Sequence, residues 1–202
     1  MDAIVLAGGQ SIRLGREKIW EPVGGEPMLG RVARRLAGAF DRVIVVGRTE
    51  RLPPLPASVA VCADELPGYG PLGGIWSALG RIEGERAFVV ACDMPFVRPE
   101  LAQVLFQAGE LAPVVLPLVG GMVEPLHAVY AASCRPLILA ALASGQRSLG
   151  SFLRKAEVLL VDEESLRALD PELLSFFNLN TEEDVRLARA LVRLTERAEA
   201  IA

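Results

Sequence analysis

The chain begins on a short apolar run, Ala3 to Leu6, and from there its apolar positions switch between two periods. Pro27 to Ala39 sets Met28, Val32, Ala33 and Leu36 on one helical face and Arg31, Arg34 and Arg35 on another, the spacing of a helix lying on a sheet with its arginines in solvent. Arg42 to Val46 and Val59 to Cys62 are β-branched runs short enough for buried parallel strands, with a proline-rich stretch from Pro53 to Pro56 between them. Pro71 suits the first turn of a helix to about Ile82. Ala87 to Ala91 is a fourth strand, and Pro99 opens a helix to about Gln107. Further on, Pro113 to Val119 and Met122 to Tyr130 flank Gly120-Gly121, a hairpin signal. Pro136 to Ala143 reads as a helix, Glu157 to Val161 as a last strand. Thr181, three residues before Asp184, approaches a capping box for a helix to about Glu199.

Strands alternating with helices predict a single α/β domain: a Rossmann-like, mostly parallel sheet with helices on both faces and an antiparallel section in the second half. In such sheets ligands sit beyond the carboxyl ends of the strands. The connection after the first strand is unusual. No clear apolar period resumes between Leu6 and about Pro27, whereas strand-to-helix turns take roughly 2 to 6 residues. Gly8, Gly9 and Gly15 open backbone conformations closed to other residues, so successive N–H groups can converge on an anion, with Arg13 and Lys18 adding full positive charge. The spacing fits neither a P-loop nor the dinucleotide fingerprint. It reads as another kind of phosphate cradle.

Composition narrows the choice. With 202 residues, 51% hydrophobic and 23% charged, the chain can bury one substantial core. A net charge of −4 excludes the general basic surface that nucleic acid needs, so an anionic ligand must be held by local cations. No apolar run approaches the 18 or so residues of a membrane span. The cysteines, Cys62, Cys92 and Cys134, have no C-x-x-C spacing, which suggests neither a disulfide framework nor a zinc site and fits a reducing cytoplasm. Among 21 basic residues only Lys18 and Lys155 are lysine, so Lys18 is no surface filler: a compact ammonium is wanted there.

Asp93 follows an apolar strand and lies at the lip of the core, where an unpaired carboxylate is costly. Mg²⁺ is the expected partner, because it takes one or two carboxylates and fills its remaining positions with water and phosphate oxygens; the alternatives are a helix cap or an arginine salt bridge. Asp64 also falls just past a strand end, as a ligand contact or as an Asx turn. Asn178 and Asn180 are the only asparagines. On an extended backbone they share a face, where a carboxamide can complete a Mg²⁺ shell or donate to a phosphate, or merely tie down the turn into the last helix.

The opening loop, Leu6-Ala7-Gly8-Gly9-Gln10-Ser11-Ile12-Arg13-Leu14-Gly15-Arg16-Glu17-Lys18, resembles the L-A-G-G-x-S-x-R-M-G-x-D-K loop of nucleotidyltransferases, most closely the molybdenum cofactor guanylyltransferases. Leu14 and Glu17 depart from the usual Met and Asp. Gly70-Pro71-Leu72-Gly73-Gly74 looks like that family's G-P-L-x-G, and Cys92-Asp93-Met94-Pro95 like its C-D-x-P. Pro125 to Tyr130 is similar to P-L-x-A-x-Y, and Asn178 to Asp184 to N-x-N-T-x-E-D. The resemblance implies that Leu6, Ala7, Gly8, Gly9, Lys18, Asp64 and Asp93 contact GTP, that Arg13, Lys18 and Asp93 act in catalysis, and that Asp93, with Asn180, holds Mg²⁺. Pro125, His127, Asn178 and Asn180 would lie beside molybdopterin, His127 as a hydrogen-bonded wall residue rather than a catalyst.

The reaction implied is attack by the terminal phosphate of molybdopterin on the α-phosphorus of GTP, releasing pyrophosphate, in a cytoplasmic enzyme that docks transiently on molybdoenzymes or their chaperones. Two other readings stay open. One is a sister enzyme, a molybdopterin cytidylyltransferase or a sugar-phosphate nucleotidyltransferase. The other is a nucleotide-binding adaptor without turnover, against which the metal carboxylate Asp93 argues.

Overall fold

The structure, a computed structural model, describes residues 1–8, 17–47 and 50–199, with side chains as far as Leu194. Gly9 and Arg13 of the opening loop lie outside the described residues. The elements run β1 (Asp2–Leu6), β2 (Pro22–Val23), β3 (Glu26–Pro27), α1 (Met28–Ala37), β4 (Arg42–Gly47), β5 (Val59–Ala63), α2 (Gly70–Leu79), β6 (Arg86–Ala91) and α3 (Pro99–Ala108) in the first half. The second half adds β7 (Val114–Val119), β8 (Met122–Val123), β9 (His127–Ala131), α4 (Cys134–Ala143), α5 (Leu149–Leu153), β10 (Val158–Val161), α6 (Glu163–Arg167) and α7 (Glu182–Glu199). Among the described residues no helix is long and apolar enough to cross a membrane.

The large sheet has the order β10-β7-β9-β6-β1-β4-β5, with β8 paired to β7. Only β9 and the short β8 run against the other strands: β9 is antiparallel to both β6 and β7, while β1 pairs in parallel with β4 and β6. The continuous apolar runs are explained by burial on both faces. In β1, Ala3 and Val5 enter the core under α1 and α3, whereas Ile4 and Leu6 enter the one under α2 and α4. Phe88 and Val90 of β6, and Val43 and Val45 of β4, repeat the same alternation.

Three differences from the sequence reading matter. The apolar run from Met122 is two strands, because Glu124 to Leu126 turn the chain between β8 and β9, with Glu124 N–H donating to Pro117 O and His127 N–H to Glu124 O. The stretch before Pro27, where no clear apolar period is visible, contains a 3₁₀ turn, Lys18–Trp20, and the β2–β3 hairpin. That hairpin supports α7: Arg189 donates to Glu21 Oε1 (2.6 Å) and Pro22 O (3.0 Å), and Val23, Met28 and Phe96 pack with Val185, Ala188 and Val192 in a third apolar cluster.

The arginines of α1 are the third difference. Arg31 is only 8% exposed, and its Nε donates to Pro95 O (3.1 Å), while Arg35 Nε donates to Val97 O (2.7 Å). Arg34 stays in solvent as expected, paired with Glu26, but Arg31 and Arg35 are covered by the loop that follows Asp93, and a buried carbonyl needs such a donor. Replacing Arg31 by Met, which keeps the stem but strands the Pro95 carbonyl, should cost about 1 to 3 kcal/mol. A melting temperature unchanged from wild type would show the contact to be idle.

Candidate active site

At the carboxyl ends of the parallel strands the backbone is drawn together before any side chain is considered. Ala7 N–H donates to Val46 O (2.8 Å) at the end of β4, and Cys92 N–H donates to Leu6 O (3.1 Å) at the end of β1. Leu6 is buried with its side chain in the core, Ala7 is half-buried and Gly8 is exposed. Gly47 permits this closeness: a Cβ there would stand 3.0 Å from both Ala7 C and Ala7 O. Gly8 is different, for no atom of the described residues lies within 4 Å of the place its Cβ would take. Packing against the described residues therefore does not demand glycine at Gly8.

The loop after β5 is fixed by Asp64, whose Oδ1 accepts from Leu66 N–H (2.9 Å) in an Asx turn. The buried Ser77 hydroxyl lies 3.1 Å from the same oxygen and 2.9 Å from Gly73 O, and accepts from Glu65 N–H (3.0 Å). Gly70, at φ +63°, takes a left-handed turn into α2; a Cβ on Gly73 would lie 2.8 Å from Leu66 O. Gly70 and Gly73 thus let the helix start against its own entry loop, while Gly74 faces Leu6, whose Cδ2 would lie 3.2 Å from a Cβ there. Arg147, from the connection between α4 and α5, reaches the same loop with its guanidinium 5.0 Å from the Tyr69 ring centre.

Lys18 is where the distant parts meet. Its Nζ donates to Asp93 Oδ2 (3.1 Å) and to Asn180 Oδ1 (2.8 Å), with the Lys18 and Asp93 side chains 16% and 19% exposed. The Asp93 loop is built to stay in place. Leu179 N–H donates to Asp93 O (2.9 Å), and Arg31 and Arg35 hold the next carbonyls as described. Cys92 beside it is inert, since burial first, and the Asp93 charge next, push its thiol up to about 12.

The two asparagines do different work. Asn178 Nδ2 donates to Phe176 O (3.0 Å), a local tie, whereas the Asn180 carboxamide oxygen is engaged by Lys18. Behind Asn180 the capping box forms as expected: Asp184 N–H donates to Thr181 Oγ1, and Asp184 Oδ2 accepts from the N–H groups of Asn180 and Thr181. Burial alone would raise the Asp184 pKa, but those N–H groups, the Thr181 hydroxyl and the Lys18 ammonium outweigh it and bring it down.

His127 departs from expectation. It is fully buried between Phe88 (ring centres 4.9 Å apart) and Phe176 (4.4 Å), so it does not wall an open site, and neither ring nitrogen has a hydrogen-bond partner. Pro125 is half-buried nearby in sequence, its carbonyl accepting from Tyr130 Oη (2.8 Å). Lys18, Asp93 and Asn180 are thus brought into contact, while Asp64 follows β5, which β1 and β4 separate from β6 in the sheet. Gly47, Ser77, Arg31, Arg35 and Arg147 support or border the site and were not singled out by the sequence. For Gly47 a signal existed, a glycine closing a buried strand run; for the arginines there was none.

A parallel sheet carrying a glycine-bearing loop, an ammonium and a carboxylate at its strand ends defines a nucleotide-handling α/β protein. Residues 3–159 match the MobA-like NTP transferase domain, and the chain belongs to that family. It is 39% identical over 188 residues to a probable molybdenum cofactor guanylyltransferase of Pelotomaculum thermopropionicum, covering 93% of this chain and 91% of that one. It is 34% identical to a molybdenum cofactor guanylyltransferase of Syntrophotalea carbinolica, with 90% and 87% covered. Among solved structures it is similar to molybdopterin-guanine dinucleotide biosynthesis protein A of Archaeoglobus fulgidus, at TM-score 0.82, 30% identity and 95% and 98% coverage. A cytidylyltransferase of Thermus thermophilus, at TM-score 0.71 and 16% identity over 95% and 98% of the two chains, has the same fold.

Proposed function

We propose that this chain transfers GMP from GTP to the terminal phosphate of molybdopterin, releasing pyrophosphate. The observation that carries the reading is the meeting of Lys18, Asp93 and Asn180, three residues far apart in sequence, beside the strand ends where relatives named for guanylyl transfer share the fold. The attacking phosphate monoester has a second pKa near 6, so at neutral pH it is largely dianionic and needs no general base. This suits a chain whose single histidine is buried. Lys18, with Arg13 from the opening loop, would balance the triphosphate, and transfer would come from positioning and charge neutralisation.

The donor set fits Mg²⁺ of the substrate-shared kind. Among the described residues there is no group of three or more His, Cys, Asp and Glu that could cage a metal, and Asp93 Oδ1 takes no hydrogen bond. One carboxylate with an open oxygen matches an ion that completes its shell with water and phosphate. When bound, the ion would neutralise charge at the reacting phosphates. Asp93 would hold it; the Asn180 oxygen, already committed to Lys18, would orient that lysine.

The glycine at Gly8 favours GTP over CTP, since cytidylyl relatives tend to carry alanine there, and packing against the described residues does not itself demand the glycine. A thermal-shift panel of GTP, CTP, ATP and UTP, with and without Mg²⁺, tests the assignment. A ligand at about 100 times its dissociation constant stabilises by about 2.7 kcal/mol, or roughly 5 to 10 °C for a domain of this size. GTP should give the largest shift. A flat panel would remove the nucleotide site, and a CTP maximum would move the chain to the cytidylyl relatives.

A further inference from the structure

We propose that Lys18 occupies the cation position of Asp93 in the nucleotide-free enzyme and gives it up to the triphosphate, so that divalent metal enters with the nucleotide and not ahead of it. The inference rests on the nucleotide site proposed above. In the structure the Asp93 carboxylate already has its counter-charge, the ammonium 3.1 Å from Oδ2, and that ammonium is steadied by Asn180 Oδ1 at 2.8 Å. Both charged side chains are more than four-fifths buried, so water screens them weakly. A dication drawn to the second oxygen, Oδ1, would lie only a few ångströms from the ammonium and be repelled by it. A triphosphate reverses that balance, because its oxygens offer the ammonium a new anion and the metal further ligands.

The identity of the side chain supports this role. Arginine is the ordinary cation of this chain, Lys18 and Lys155 being the only lysines among 21 basic residues. A guanidinium would grip Asp93 as a two-pronged fork and stack its plane there, whereas an ammonium is a point charge on a flexible four-carbon stem. Such a group can swing from carboxylate to phosphate without rebuilding its surroundings. Asn180 gives the swing a fixed origin, since its backbone N–H is bound to Asp184 Oδ2 (2.9 Å) at the head of α7.

The test reads metal binding directly. Mn²⁺ is titrated into the nucleotide-free full chain and the free ion followed by electron paramagnetic resonance, with a thermal melt on each variant to establish that it is folded. Wild type should bind Mn²⁺ weakly. Lys18→Met and Lys18→Gln, which remove the charge with and without a hydrogen-bonding tip, should each bind it about 5- to 150-fold more tightly, the ordinary range of coupling between two ligands. Lys18→Arg keeps the charge and should stay as weak as wild type. Adding Asp93→Asn to Lys18→Met should abolish the gain. Folded Lys18→Met and Lys18→Gln chains that bind Mn²⁺ no better than wild type would overturn the proposal. Its failure is separable from that of the nucleotide site: a flat GTP panel with the Mn²⁺ gain intact removes the substrate, while a GTP shift without the gain removes only the lysine's part.

Discussion

Asp93→Asn should lower GMP transfer by at least about 10²- to 10³-fold, the scale on which a single preorganised electrostatic group at a reacting centre acts. The substitution keeps size and hydrogen bonding and removes one charge. The fold should lose far less than the reaction, because the carboxamide oxygen of the variant and Asn180 Oδ1 can both still accept from the Lys18 ammonium. The carbonyl that anchors the loop, Asp93 O with Leu179 N–H, belongs to the backbone and survives the change. Transfer rates and melting temperatures of the same preparation decide the matter. A variant that unfolds, while its remaining folded fraction turns over normally, would make Asp93 structural.

The second large effect is acid lability set by His127. Burial holds its imidazole neutral in the folded protein, lowering its pKa from 6.5 to about 3, with the nearby Asp170 charge working weakly the other way. The unfolded chain takes up that proton near 6.5, so below this pH it binds more protons than the folded chain and stability falls as pH drops toward 3. At pH 5 the loss amounts to about 2 kcal/mol, one and a half units of difference at 1.36 kcal/mol each, or roughly 4 to 8 °C. His127→Leu should remove it. Because neither ring nitrogen has a partner, leucine strands nothing at pH 7, and the variant should pull progressively ahead of wild type between pH 7 and pH 5. No other histidine is present to blur the comparison. Parallel curves of melting temperature against pH for the two proteins would defeat the claim.

Much of this architecture could be read from residue spacing because β1, β4 and β6 are buried on both faces and so run without a polar side chain after their first residues, Asp2, Arg42 and Arg86. The same logic puts the opening loop, Asp64 and Asp93 just past the carboxyl ends of strands. What escaped was burial created by segments remote in sequence. Arg31 reads as a surface residue until the loop from Met94 to Val97 lies across α1 and gives it a carbonyl. His127 reads as a site residue until Phe176, nearly fifty positions on, closes over it. The distinction between Asn178 and Asn180 was equally out of reach, since even spacing places both on one face and only the position of Lys18 selects between them.

The way α7 closes on the β2–β3 hairpin has a consequence for biosynthesis. Every strand of the large sheet is translated by Val161, yet Asn180 and the helix that covers Val23, Met28 and Phe96 come later in the chain. At about 5 to 20 residues per second, this leaves a nascent chain for roughly 2 to 8 seconds with its sheet made and one apolar face bare. During that interval Lys18 and Asp93 are present without Asn180, so the partner that steadies Lys18 arrives only after the whole sheet has been translated. A translational pause after β10 would therefore prolong an inactive, adhesive intermediate, whereas the same pause placed before β6 would leave no finished sheet to expose.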